Sequence, residues 1–261
     1  MATALVTGAS SGIGESFAYA LARQNFDLVL VARRRERLDT VAAKANQLGA
    51  RRIEIVVLDL SQAGAPLELE ARLTAGSIPV NFLINNAGFG TTGRFDRLPL
   101  ARELQEIELN IGALVALTRL FLPPMVANRD GAIINVASTA AFQPVPYMAT
   151  YAATKAFVLS FTEAISVEVA GSGVRILALC PGPVRTEFQA VAKNEHALMP
   201  SFAYLDADTV VQQALVAVGR GRRVQVNGMM NKVGTIAARL LPRSLVTLIA
   251  GRIYRNAGIA G

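Results

Sequence analysis

Thr3–Gln24, TALVTGASSGIGESFAYALARQ, carries a short apolar strand into a helix through a glycine-rich turn. The strand pattern ends at Gly8, and the apolar residues from Ile13 onward recur at helical spacing. Gly8, Gly12 and Gly14 allow a tight turn and let backbone amides approach an anion at the helix N-terminus. Ser10, Ser11 and Ile13 share that turn. A glycine-rich turn in isolation is a mere connection. One that closes a first strand and opens a first helix is built as a cradle for a pyrophosphate.

The same alternation continues outward from this stretch. DLVLVAR (27–33) reads as a second strand, followed by the amphipathic RRERLDTVAAKANQLG, which stops at Gly49. RIEIVVLDL (52–60) is a third strand, and PVNFLINNAG (79–88) contains a fourth. A helical stretch runs from about Ala101 to Asn128, and GAIINVAS (131–138) is a fifth strand. YAATKAFVLSFTEAISVEVA (151–170) is helical, VRILALCPG (174–182) a sixth strand and RRVQVNG (222–228) a short seventh. Continuously apolar strands alternating with helices predict an α/β fold whose parallel sheet is covered on both faces. Right-handed crossovers make it a doubly wound, Rossmann-like sheet of seven strands. Ligands in such sheets bind beyond the carboxyl ends of the strands, where Gly8, Asp59, Asn85, Asn86, Ser138 and Pro181 fall.

Composition narrows the class. The 261 residues, 52% hydrophobic, suit one domain with a large core, and no segment reads as a linker or repeat. The single cysteine, Cys180, excludes an internal disulfide framework, and its apolar neighbours point to a buried strand thiol. No leader pattern and no run of 18 uncharged apolar residues occurs, so a cytoplasmic protein without a spanning helix is expected. The absence of cysteine/histidine clusters argues against a metal site, and the absence of a stacking pattern or known module argues against nucleic-acid binding. The net charge of +7 is uneven: from Thr209 onward there are eight bases and no acid.

The end of the second strand tests the nucleotide. An acid there would bind the ribose 2′-hydroxyl of NAD, but the chain has Ala32 followed by Arg33, Arg34 and Arg35. No carboxylate repels a 2′-phosphate, and Arg33 can pair with one in bidentate fashion, which predicts NADP(H) over NAD(H). The competing reading is a solvated basic helix start, which suits Arg35.

Ser138, Tyr151 and Lys155 suggest the chemistry. A phenol acts as an acid or base near neutrality only if something lowers its pKa from about 10. A lysine four residues further along a helix lies on the same face and supplies positive charge. With Ser138 placed to hold a carbonyl oxygen, the trio reads as proton transfer at a C–O group. The spacing alone is weak, since the chain has five tyrosines; its place downstream of a nucleotide-binding turn gives it weight.

Thr7-Gly8-x-x-x-Gly12-x-Gly14, Asn85-Asn86-Ala87-Gly88, Asn110, Ser138, Tyr151-x-x-x-Lys155 and Pro181-Gly182 occur in this order. Together, from Ala2 to about Thr186, they resemble the short-chain dehydrogenase/reductase family, in its shorter branch rather than its sugar-nucleotide epimerases. The resemblance implies hydride transfer between a nicotinamide and a carbonyl or secondary alcohol. It assigns Asp59 to the adenine, Asn86, Ala87 and Gly88 to the ribose region, and Pro181, Gly182, Val184 and Thr186 to the nicotinamide. It makes Tyr151 and Lys155 cofactor contacts as well as the acid/base pair. Asn110 becomes the holder of a water linking Lys155 to solvent, with a packing amide as the competing reading. Asn85 stays open between site and scaffold. Tyr147 lacks a lysine four residues on and reads as a loop or pocket-wall tyrosine.

Residues 187–208 would form a lid over the substrate, with Phe188, Met199, Phe202 and Tyr204 lining an apolar pocket and His196 on a surface loop. The extension 229–261 departs from relatives that finish near the seventh strand. Pro242 can open a helix there, giving Leu245, Val246, Leu248, Ile249 and Ile253 one apolar face. It suits packing on the pocket or another subunit, a membrane-surface helix, or the binding of an acidic substrate tail. The expectation is an NADP(H)-dependent oxidoreductase for a fairly apolar carbonyl or alcohol, assembled as a homodimer or homotetramer. Its rivals are a non-catalytic NADP(H)-binding regulatory protein and a membrane-associated scaffold. The full Asn110–Ser138–Tyr151–Lys155 set argues against both.

Overall fold

The computed structural model describes residues 2–188, 192 and 204–256. Within the expected lid, His196, Met199 and Phe202 lie outside the described residues. The strands are β1 (Thr3–Thr7), β2 (Asp27–Ala32), β3 (Ile53–Val57), β4 (Phe82–Asn85), β5 (Gly131–Val136), β6 (Val174–Cys180) and β7 (Val224–Val226). The helices are α1 (Gly12–Ala22), α2 (Arg35–Gln47), α3 (Ala65–Ala75), α4 (Leu100–Ile107), α5 (Leu114–Ala127), α6 (Ala149–Glu168), α7 (Ala207–Gly219), α8 (Met229–Leu240) and α9 (Arg243–Asn256).

All seven strands are parallel, in the order β3-β2-β1-β4-β5-β6-β7. Their continuous apolarity follows from burial on two faces. Val6, Leu28 and Leu30 pack with Phe17, Leu21, Leu38 and Val210 of α1, α2 and α7. The alternate residues Leu5, Val29 and Val31 pack with Leu69, Leu73, Leu117, Phe121 and Met125 of α3 and α5. This period of two is the pleat of the sheet read from its sequence. The strand order reverses between β1 and β4, paired as Ala4–Phe82, Leu5–Leu83 and Val6–Ile84. The crevice at their carboxyl ends is where such sheets bind ligands.

Two stretches depart from the simple reading. The helix expected over about 101–128 is not uniform: a π-helical turn, Glu108–Ala113, separates α4 from α5 and carries Asn110. Such turns concentrate at functional sites. Leu100–Ala127 is also long and apolar enough to cross a membrane, with a mean hydropathy of 1.5. However, Leu117, Phe121 and Met125 pack beneath the sheet.

The extension forms α8 and α9. The Pro242 carbonyl accepts from the amides of Leu245 and Val246 at 3.0 and 3.2 Å, so Pro242 stands just before α9 and starts it. Only part of the expected apolar face is covered. Val246 and Ala250 are buried, while Leu245, Leu248, Ile249 and Ile253 stay exposed. Between α9 and the loops before α6 lies an open groove of about 800 Å³, walled by Phe95, Pro146, Tyr147, Thr247, Leu248 and Arg255. Tyr147 thus stands on a pocket wall, with left-handed backbone at φ 67°. The groove wall does not include Ser138 or Tyr151.

Candidate active site

The glycine turn closes around its own backbone. A Cβ on Gly14 would lie 2.3 Å from the Gly8 carbonyl oxygen and 2.6 Å from Asn86 Nδ2. One on Gly12 would lie 2.9 Å from Thr186 Cγ2, and Gly8 and Gly12 have φ of 64° and 58°. No side chain fits there. Ser11 precedes α1 in extended backbone and its hydroxyl makes no capping bond, so the first-turn amides keep their donors. Ile13 packs its side chain toward the core. The donor set and the missing side chains fit a pyrophosphate at the helix N-terminus.

The arginines at the end of β2 diverge. Arg33 Nη1 lies 3.7 Å from Asp59 Oδ2. Burial works to raise the Asp59 carboxyl, but the Ser61 hydroxyl and amide and the Arg33 guanidinium hold it below the usual range. Arg34 turns the other way and donates to Ser10 Oγ at 3.2 Å, placing it on the glycine turn. It also pairs with Glu187 at 2.8 Å, as Arg37 does at 2.7 Å. Arg35 pairs with Asp39 on the solvated face of α2. Sequence reasoning singled out Arg33; Arg34, in the same three-arginine run, is the one whose side chain reaches the turn, which only the backbone at the helix start decides.

The loop after β4 seals the middle of the site. Thr7 Oγ1 accepts from the amides of Asn86 and Ala87, both at 2.9 Å, and Asn86 Nδ2 donates to the Thr7 carbonyl at 3.0 Å. Asn85 points the other way, into the sheet. Its Nδ2 donates to Thr118 Oγ1 and Asn135 Oδ1, so its role is to bind the strands to α5. Gly88 admits no side chain, because a Cβ would meet Asn110 Oδ1 at 2.8 Å. Asn110 is 1% exposed; it accepts from the Phe89 amide at 3.1 Å and donates to the Phe89 carbonyl and Thr154 Oγ1. These bonds explain a polar residue in an apolar helix.

Ser138 follows β5 and opens a short turn, accepting at Oγ from the Ala140 amide at 3.1 Å. Two residues earlier, the Val136 carbonyl accepts from Lys155 Nζ at 2.8 Å, which ties α6 to the strand end. Lys155 is fully enclosed, and burial lowers its ammonium from near 10.5 to about 8. Its Nζ lies 5.8 Å from the centre of the Tyr151 ring. Phe188 packs against the same ring with its centroid 5.3 Å away, and Gly90 lets the loop pass both rings. The Pro181 carbonyl accepts from the Thr139 amide, and Asn231 of α8 closes on Gly182, where a Cβ would meet it at 2.1 Å. Val184 bridges Leu205, so the strand β6 exit, the Ser138 turn and the extension meet at one edge.

The structure therefore gathers the glycine turn, Asn86–Gly88, Ser138, Tyr151, Lys155 and Pro181–Thr186 at the carboxyl edge of the sheet. Sequence reasoning missed two further members, Glu103 and Glu106. They lie 4% and 0% exposed on α4, joined through Thr91 Oγ1. Acids inside an amphipathic helix look solvated from spacing alone.

Comparison with known proteins agrees with this architecture. A family model described as short chain dehydrogenase matches residues 2–197. An oxidoreductase of Myxococcus xanthus is 32% identical over 251 residues, covering 96% of this chain and 97% of its own. A very-long-chain 3-oxoacyl-CoA reductase of Anas platyrhynchos is 31% identical, over 88% of this chain and 72% of its own. Among solved structures, a short-chain dehydrogenase from Sphingobium yanoikuyae in complex with NADPH superimposes with a TM-score of 0.82. It shares 34% identity over 92% of this chain and 94% of its own. With the motifs in order along a seven-stranded parallel sheet, the chain belongs to the short-chain dehydrogenase/reductase family.

Proposed function

We propose that the chain is an NADP(H)-dependent oxidoreductase acting on the carbonyl or secondary alcohol of a fairly apolar small molecule. The observation that carries the reading is a buried Lys155, anchored at the end of β5, beneath the ring of Tyr151 and beside Gly88, which admits no side chain. Bound at the glycine turn before α1, the dinucleotide supplies hydride chemistry. Ser138 donates to the substrate oxygen and steadies its developing charge, and Tyr151 passes a proton to that oxygen or takes one from it. Lys155 favours the ionised phenol, and Asn110 fixes the π turn and α6 relative to each other. The fatty-acyl relative and Phe188 beside Tyr151 support an apolar substrate. Initial rates with NADPH and NADH across ketones, ketosteroids and 3-oxoacyl thioesters test the reading; no turnover of any carbonyl would overturn it.

Arg33 and Arg34 together frame the place for a 2′-phosphate, on the Asp59 and Ser10 sides. Losing one charge-assisted pair costs about 1.5–3 kcal/mol. Arg33→Ala or Arg34→Ala is therefore expected to cut the NADPH-over-NADH ratio of kcat/KM by about 10–100-fold. A ratio untouched by both substitutions removes the assignment.

The exposed apolar residues of α4, α6 and α7, among them Leu104, Ile107, Phe157 and Val216, support assembly as a homodimer or homotetramer. Those of α8 and α9 support peripheral contact with a membrane, because Arg239, Arg243, Arg252 and Arg255 are exposed beside them. Ile249→Glu with Ile253→Glu leaves the buried side of α9 intact. The pair is expected to abolish co-flotation with anionic liposomes; equal flotation of both proteins sinks the membrane reading.

A further inference from the structure

The buried carboxyl of Glu103, on α4, joins hydroxyls from two other elements. Thr91 Oγ1, on the loop after β4, lies 2.6 Å from Glu103 Oε1, and Thr150 Oγ1, in the first turn of α6, donates to Glu103 Oε2. Thr91 Oγ1 also lies 2.8 Å from Glu106 Oε2. A hydroxyl has one hydrogen to give, so one of the two carboxyls carries a proton and donates it to Thr91. Burial pushes the Glu106 carboxyl up to about 7 against the Thr91 bond, which makes Glu106 that donor. Thr91 then gives its own hydrogen to Glu103, and both Glu103 oxygens accept.

Both hydroxyls belong to the surroundings of Tyr151. Thr150 precedes it in the first turn of α6, where Met148, at the helix start, has no side-chain oxygen to cap the turn. Thr91 follows Gly90, and a Cβ on Gly90 would lie 3.0 Å from Tyr151 Cδ2, so the ring rests against this loop. On the other side of Tyr151 in the chain, Thr154 Oγ1 accepts from Asn110 Nδ2 at 3.1 Å and donates to the Tyr151 carbonyl at 2.8 Å. Two rungs thus tie the Leu100–Ala127 run to α6, Glu103–Thr150 just before Tyr151 and Asn110–Thr154 just after it. Lys155 is tied to β5 instead.

We propose that Glu103 is a positioning residue for Tyr151: through Thr150 and Thr91 it fixes the first turn of α6 against the loop on which the phenol ring rests. The inference rests on the oxidoreductase reading of Tyr151. Placement matters there, because moving a reacting group by about 1 Å can cost about 10²-fold in rate. Glu103 acts through two hydroxyls and leaves the glycine turn alone, so its loss falls on kcat and spares KM for NADPH.

Thr150→Val keeps the side-chain shape and deletes the donor, whereas Glu103→Met keeps the length and deletes both acceptors. Each is expected to lower kcat by about tenfold with KM for NADPH unchanged, and Thr150→Ser to recover most of the loss. The double variant should lose no more than Glu103→Met alone, because the two changes remove one shared bond. Should Glu103→Met fail to fold, the contrast between Thr150→Val and Thr150→Ser decides. Fluorine NMR of protein labelled with 3-fluorotyrosine follows the ring without substrate. The Tyr151 line, identified by its loss in Tyr151→Phe, should shift or broaden in Glu103→Met more than the lines of the other four of the five tyrosines. Unchanged kcat in both variants, fully additive losses, a matching rise in KM for NADPH, or an unmoved Tyr151 line overturns the proposal. A line that moves while the wild type turns over no carbonyl supports the positioning and defeats the oxidoreductase reading instead.

Discussion

Tyr151→Phe is expected to lower kcat/KM for carbonyl reduction by about 10²–10⁴-fold, the range for removing one general acid. The substitution deletes one oxygen and keeps the ring that packs on Phe188 at 5.3 Å, so the fold should be spared. KM for NADPH should change far less than kcat, because the substitution leaves untouched the glycine turn and the two arginines proposed for the other end of the dinucleotide. The measurement is steady-state kinetics with a thermal melt as control. A variant with full turnover and an unchanged melt removes Tyr151 from the proton step.

Lys155→Met should lose activity by at least about 10²-fold and, at the same time, gain stability. The fold holds Lys155 with its ammonium lowered from near 10.5 to about 8 by burial, so the charged form is disfavoured in the native state. That displacement corresponds to about 3 kcal/mol at neutral pH. Methionine removes the charge, leaves the Val136 carbonyl without its donor at a cost of about 1 kcal/mol, and nets about 2 kcal/mol of stabilisation. The sign carries a pH signature. Below pH 8 both folded and unfolded chains are protonated and the wild type bears the full cost. From pH 8 toward 10.5 the unfolded chain binds the extra proton, so wild-type stability rises and the variant's advantage shrinks. Urea midpoints at several pH values check this; a variant less stable than wild type at neutral pH defeats it.

Much of this was legible from local sequence. The strands announced themselves because burial on two faces demands unbroken apolar runs such as DLVLVA, and the turn because only glycine fits against the Gly8 carbonyl. Tyr151 and Lys155 were readable because helix geometry fixes which residues share a face. What was hidden depends on distance along the chain. Arg34 was indistinguishable from Arg33 until Ser10, 24 residues earlier, supplied a partner. Glu103 and Glu106 carried no signal of their own in the sequence, because their hydroxyl partners come from Thr91 and Thr150, on other elements. The π turn was hidden as well, since a single buried amide does not change the apolar spacing around it. Asn85, undecided from sequence, resolved into scaffold once Thr118 and Asn135 were seen to receive its amide.

The pairing of β1 with β4 has a consequence in time as well as space. Its register joins Ala4 to Phe82, so it closes a loop of nearly a third of the chain. Closing long loops is entropically slow, and contacts of that span limit folding rates more than local ones. During synthesis, β1, β2 and β3 are complete before Phe82 exists, whereas every residue proposed for the proton step lies after it. The glycine turn and the residues proposed for the proton step are thus made as separate lengths of chain and meet at one crevice only when this seam closes. Dinucleotide binding would report the moment of closure.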